Sequence, residues 1–193
     1  MNVGITPLRH FREKKRDETY KCGVKMKEYN IRIEGVAPLI MAGLSSENTA
    51  ERMLNNVDKD KLPPKEIEKR IYICPDGRIY QPASHIEYSL MEAANDLEYI
   101  IDKSAIFIMP REIIHEIQKY TIDERAVVRP LNKRIILKRP RLDKWALKFI
   151  LKINNELSGD DIKNLLEYTG KAIGLEDLRP RMGRFILTEF TEI

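Results

Sequence analysis

Three arginines, Arg179, Arg181 and Arg184, stand within six residues of one another in the stretch Gly174-Leu-Glu-Asp-Leu-Arg-Pro-Arg-Met-Gly-Arg184. Pro180 and the flanking glycines Gly174 and Gly183 keep this backbone out of helix and sheet, so it reads as a loop. Such a loop turns planar, two-pronged guanidinium donors and free backbone N–H groups toward an anion, and phosphate is the partner that fits them best. The competing reading is a solvated basic turn that only links two elements. A larger basic region lies upstream. From Arg125 to Lys152 ten basic residues face one acid, Asp143, a local charge of +9, which leaves −5 for the rest of a chain whose net charge is +4. Arg125, Arg129, Arg134, Lys138, Arg139, Arg141, Lys144 and Lys148 therefore form the footprint expected of a polyanion-binding face. The alternative is a charged strand edge that blocks strand addition.

Residues suited to catalysis are few. His85, near a predicted helix start, is placed to act as a general acid or base beside a phosphodiester, with a structural or surface role as the alternative. His115 falls within the short helix expected after Pro110, beside Ile113, Ile114 and Ile117 and not on the same face as them. Nothing in the sequence resembles a Ser/His/Asp nucleophile signature or a Cys/His metal spacing. Asp160 and Asp161 sit where carboxylates answer a helix dipole more often than a metal. The two cysteines, Cys22 and Cys74, are too few for a disulfide framework. The expectation is a binding protein that is not an enzyme and needs no metal or cofactor.

The elements that must carry these residues can be read along the chain. At 193 residues, a third of them charged, the sequence suits a single domain. Mean hydropathy is −0.43. No apolar run reaches the ~18 residues of a membrane span, and the opening Met1 to His10 lacks the apolar core of a secretory signal, which predicts a cytoplasmic protein without a membrane partner. Residues 1 to 20 read as a basic flexible arm and 21 to 193 as one domain with an insertion at about 44 to 68. Within that insertion Ser45 or Ser46 caps a helix that ends before a Lys-Asp-Lys-Leu-Pro-Pro linker.

From 25 to 34, Tyr29, Ile31 and Ile33 alternate with Asn30, Arg32 and Glu34, the signature of a strand. Residues 70 to 74 and 79 to 80 flank the Pro75-Asp-Gly77 turn as a hairpin, in which Tyr72 and Tyr80 are candidates for stacking on bases. Ser84 and Glu87 have capping-box spacing before a helix over 84 to 98, with Ile86, Leu90, Ala93, Ala94 and Leu97 on its inner stripe. A short strand follows at 104 to 109, and Pro110 is set to start another helix. Two strands lie over 124 to 138. Over 143 to 154 Trp145, Leu147, Phe149, Leu151 and Ile153 face a core, while Lys144, Lys148 and Lys152 face outward. Ser158 with Asp161 caps a helix that Gly174 ends, and 183 to 190 closes the chain as a strand.

Stripped of insertion and hairpins the order is β-α-β-β-α-β, an α+β fold of the ferredoxin-like, RRM-like kind with an antiparallel sheet. Two helices cover one sheet face, and the other, studded with lysines, is left as a cationic platform for a single strand.

Tyr80-Gln-Pro-Ala-Ser-His-Ile-Glu-Tyr-Ser-Leu90 resembles the Ile-Pro-Gly-Ser-Ser-Leu-Lys-Gly-Ala-Leu-Arg opening of the first helix in the RAMP superfamily, the backbone subunits of CRISPR effector complexes. Ile173-Gly-Leu-Glu-Asp-Leu-Arg-Pro-Arg-Met-Gly-Arg-Phe185 looks like the glycine-rich loop of those proteins, which ends in Arg-Gly-Phe-Gly-Arg. This sequence departs from that pattern in having Ala83 for a glycine, and Leu175, Leu178 and Met182 in the loop. The resemblance implies a ferredoxin-like fold that holds single-stranded RNA or DNA, in a filament of like subunits or with other effector proteins. It assigns backbone contacts to Arg179, Arg181, Gly183 and Arg184, and places Ser84 and His85 at the helix start. The chain is also similar, over roughly 30 to 190, to uncharacterised proteins encoded by phages and prophages. Two rival functions remain open at this point: a metal-independent endoribonuclease of the same fold that uses His85, and a phage-encoded assembly or interaction protein.

Overall fold

The alternation read in the sequence over 25 to 34 becomes a strand whose inner residues, Tyr29, Ile31 and Ile33, are at most 1% exposed. A computed structural model describes residues 26–43, 70–101, 105–129, 133–154 and 157–193. The expected basic arm, the insertion with its Ser45 or Ser46 cap, and the turn from Pro130 to Asn132 lie outside the described residues.

In chain order the strands are β1 (Met26–Gly35), β2 (Leu39–Ile40), β3 (Tyr80–Pro82), β4 (Ile106–Met109), β5 (Glu112–Ile114), β6 (Thr121–Arg129), β7 (Lys133–Leu142), β8 (Ala146–Asn154) and β9 (Phe185–Glu192). Helix α1 spans Ala83–Asp96, and α2 spans Gly159–Tyr168 before continuing as a π-helical turn over Thr169–Ile173. The principal sheet has the order β4-β8-β1-β9, and every neighbouring pair in it is antiparallel. Its register sets Met26 opposite Asn154 and Glu34 opposite Ala146, which puts Leu147, Phe149, Leu151 and Ile153 on the side of Ile31 and Ile33. The stripes Ile86, Leu90, Ala93, Ala94 of α1 and Ile162, Leu165, Leu166 of α2 close over that side in one core. Each isoleucine and leucine among them gains about 1.5–3 kcal/mol from leaving water, which outweighs the modest propensities of the two helices. The class is α+β, as the composition of elements predicted.

Trp145 shows how tightly the start of β8 is fixed. Its indole N–H donates to the Ala37 carbonyl at 2.8 Å, so the one polar atom of a fully buried ring is satisfied. A Cβ at residue 35 would stand 2.2 Å from that indole, so only glycine fits there.

Local expectations met different outcomes. Ser158 and Asp161 form the capping box at α2. Ser84 and Glu87 do not form one at α1: the helix begins at Ala83 with Pro82 at the cap, and the Glu87 carboxylate turns aside to accept the Ile108 N–H at 3.0 Å. The helix expected after Pro110 is instead β5, which pairs with β3, Gln81 opposite Ile113. The β-branched pair Ile113–Ile114 serves an extended chain better than a helix, and Pro82 and Pro110 restrict both segments. The hairpin at 70 to 80 is reduced to a single bridge, Ile73 to Ile79, around Gly77. The two basic strands are longer than expected, and β6–β7 with β2 forms a separate three-stranded sheet.

Candidate nucleic-acid interface

The loop from Gly174 to Arg184 is tied down by its backbone. Leu175 N–H donates to the Gly183 carbonyl at 2.9 Å, Gly183 N–H to Pro38 at 2.8 Å, and Asp177 N–H to Ile40 at 3.2 Å. Leu175 is fully buried and anchors the loop in the core. Gly183 has φ +69°, and a Cβ there would lie 1.9 Å from the Leu175 carbonyl oxygen, so its role is to let two backbones touch. Glu176 and Leu178 take left-handed conformations, at φ 62° and 61°. That turn drives the Glu176 side chain inward to 3% exposure.

There it meets α1. His85 Nδ1 lies 2.5 Å from Glu176 Oε1, and Gln81 Nε2 donates to the same oxygen at 2.6 Å. The hydrogen bond to Glu176 raises the His85 pKa above its ordinary value, against the opposing pull of burial and the repulsion of Arg179. Tyr72 presents an edge contact to the His85 ring at 5.5 Å. One turn along α1, Arg179 Nη1 donates to Ser89 Oγ and Glu92 Oε2, each at 3.1 Å, and its guanidinium sits 5.6 Å above the ring of Tyr88. Tyr72, His85, Tyr88, Ser89, Glu176 and Arg179 line a cleft of about 400 Å³, with Ala42 and Asp177 completing it.

The sequence-predicted cations divide into two sets. Arg125 pairs with Asp123, which Arg141 also reaches at 3.4 Å, and Arg141 bonds Asp143 at 2.6 Å. The Arg125 hydrogen bond lowers the pKa of the Asp123 carboxyl. Lys138 pairs with Glu124 at 2.5 Å, Arg139 with Asp177 at 2.6 Å and Lys148 with Glu189 at 3.0 Å. Lys152 pairs with Glu28 at 2.8 Å, and Arg32 with Glu116 at 2.7 Å. The exposed pairs among these, such as Lys138 with Glu124, are worth at most about 1 kcal/mol each, so their main effect is to cancel charge.

The expected cationic platform is therefore corrected. Lys148 and Lys152 do face away from the helices, but carboxylates on β1 and β9 neutralise them. Lys144, Arg181 and Arg184 have no carboxylate partner among the described residues and are exposed. Arg129 and Arg134 occupy the far end of the β6–β7 hairpin, opposite Lys133 and Val128, and their side chains lie outside the described residues.

His115 is not in a helix but directly follows β5, and it does not line the cleft. It bridges to Leu147, is 1% exposed, and stands edge-on to Trp145 with ring centres 6.4 Å apart. Burial pushes its pKa down to about 4. Asp161 is occupied by the Ser158 cap.

Sequence reasoning missed Glu176, Gln81 and Tyr88. Only a left-handed turn at a glutamate brings Glu176 to His85, 91 residues earlier, and nothing in the local pattern signals it.

No protein-family model matches the chain, and no curated protein matches it. Among solved structures, a chain in the cryo-EM structure of the Type III-B Cmr-beta bound to cognate target RNA is similar over 88% of this chain, with a TM-score of 0.56 and 12% identity. This chain spans 61% of the length of that one. At such identity the likeness is one of fold.

Proposed function

We propose that this chain binds single-stranded nucleic acid, RNA foremost, as a RAMP-like subunit of a CRISPR-type ribonucleoprotein, and does so without catalysing a reaction on it. The succession β1, α1, β4, β8, α2, β9 with the antiparallel order β4-β8-β1-β9 is read here as the ferredoxin-like arrangement. The fold likeness to a chain of an assembly recorded with target RNA supports the reading.

The observation that carries it is at the mouth of the cleft. Tyr88 is 64% exposed, carries the Arg179 guanidinium over its ring, and lies on the helix that the arginine loop packs against. A large aromatic left in water beside cations is the stacking platform that single-strand binders use, and each stacked base is worth about 1–3 kcal/mol. Arg181, exposed and without a carboxylate partner among the described residues, is placed to take a phosphate. Arg139, held to Asp177, ties the basic β6–β7 hairpin to the same loop.

Filter binding of a labelled unstructured RNA across a salt series tests this. Affinity should fall steeply with salt, Tyr88→Ala should weaken binding about 5- to 100-fold, and Arg181→Ala should flatten the salt slope by about one phosphate contact. A flat salt response with no loss on either substitution would refute the proposal.

The His85–Glu176 contact favours one second reading, endoribonuclease activity. A carboxylate that accepts from Nδ1–H orients the ring and leaves Nε2 to exchange a proton. Labelled RNA incubated in chelator with the parent and with His85→Ala decides it: cleavage lost in the variant supports this reading, and equal cleavage or none excludes it.

A further inference from the structure

The neck of the arginine loop forms a second hollow, which shares no residue with the cleft. Leu175 N–H donates to the Gly183 carbonyl at 2.9 Å, and this closure brings together residues from either side of the loop, Lys171 on the π-helical turn and Arg184 just before β9. Both line a hollow of about 390 Å³ whose apolar walls include Val36, Phe185 and Leu187. Neither cation has a carboxylate partner among the described residues, in contrast to Arg32, Lys148 and Lys152 on the sheet face. Glu167, one turn before Lys171, is the acid at the rim.

The backbone adds donors. Val36 N–H donates to the Arg184 carbonyl at 2.9 Å, while Gly35 N–H turns the other way, to the Trp145 carbonyl at 2.8 Å. Alternation in the antiparallel ladder therefore turns the peptide groups of Phe185 and Leu187 away from β1, at an edge where no strand pairs with β9 among the described residues. The bulge opposite Arg32 and Ile33 lies beyond them and leaves this register intact. A Cβ on Gly170 would stand 2.3 Å from the Phe185 carbonyl oxygen, so the helical turn packs against that acceptor. The two N–H groups and the Leu187 carbonyl are left on the rim.

We propose that this hollow is a phosphodiester subsite for the same single strand that the Tyr88 cleft takes, an inference that rests on the nucleic-acid reading and extends it to the neck of the loop. Two cations against one carboxylate leave one positive charge. That matches the single charge of an internal phosphodiester better than the about −1.5 to −2 of a terminal phosphate. The outward N–H groups supply hydrogen bonds that a pair of cations alone does not. Val36, 58% exposed, offers apolar surface to the attached sugar. A strand that spans both sites runs past Arg181, which lies between Arg179 and Arg184 in the loop.

Filter binding of a labelled, unstructured RNA of about 16 nucleotides, the upper end of single-strand site sizes, tests it. Lys171→Gln combined with Arg184→Gln should flatten the salt slope by about one phosphate contact, and adding Arg181→Ala by about one more. Glu167→Gln should tighten binding by up to about fivefold, a gain that a damaged fold cannot give. A double variant with the parent's salt slope, or a Glu167→Gln protein that binds no tighter, would overturn the proposal. If Tyr88→Ala still weakens binding in that case, the nucleic-acid reading stands without this subsite; a parent indifferent to salt removes both. Equilibrium dialysis of inorganic phosphate separates the two sources of the ligand. Phosphate held by the parent and not by the double variant, with equal RNA affinity in both, would mark a free-ion site and overturn the proposal.

Discussion

Acid should unfold this protein partly through one imidazole. His115 is 1% exposed, wedged edge-on against Trp145, and neither ring nitrogen has a hydrogen-bond partner among the described residues. Burial lowers its pKa from 6.5 to about 4, against the opposing charge of Glu176. A histidine held neutral in the fold and free to charge when unfolded takes up its proton in the unfolded chain first. Its penalty is therefore absent above 6.5 and grows as pH falls from there toward 4. Between about pH 7.5 and 5 the integrated loss is about 2 kcal/mol. His85 works in the other direction: its raised pKa contributes stability in full below its ordinary value, lost as pH rises through the folded one. The two are separated by comparing the parent with His115→Phe, which keeps a ring against Trp145 and removes the titration. Urea unfolding followed by the fluorescence of Trp145, the sole tryptophan, gives both curves. The gap between the two proteins should shift in favour of the variant by about 2 kcal/mol over that range. Parallel pH profiles would refute the reasoning, whatever the absolute stability of the variant.

Two further substitutions probe the cleft. Gly183→Ala adds a Cβ 1.9 Å from a backbone oxygen at φ +69°, and should lower the unfolding free energy by more than about 2 kcal/mol; a urea midpoint within error of the parent would show that the loop can yield. His85→Asn removes a group whose protonation Glu176 favours, so the parent should lose its advantage in RNA affinity over the variant as pH rises through the His85 pKa. Equal pH profiles for the two proteins would exclude His85 from the binding face.

What could be read from the sequence was what one segment decides for itself. The alternation of β1 and β8, the stripe and cap of α2, and the hairpin of basic strands each follow from side-chain period and local hydrogen bonding. What could not be read depends on partners distant in the chain. Three residues of β5 become a strand because β3, some thirty residues earlier, offers its edge. The lysines of β8 looked like free charge because Glu28 and Glu189 lie 124 and 41 residues from them. The cleft itself was half legible. The arginine loop and His85 could be named, but their meeting depends on a left-handed glutamate that no periodicity encodes.

The cross-strand ion pairs on the open sheet face also shape how anything could approach it. Arg32, Lys148 and Lys152 each sit within 3.0 Å of a carboxylate oxygen, so each of these cations lies against an acid. Fields of such neighbouring opposite charges cancel well inside the ~8 Å screening distance of physiological salt. An incoming polyanion would feel no long-range pull from this broad surface. Among the described residues, the cations left to guide its first encounter are the few uncancelled ones near the arginine loop, one small landing point.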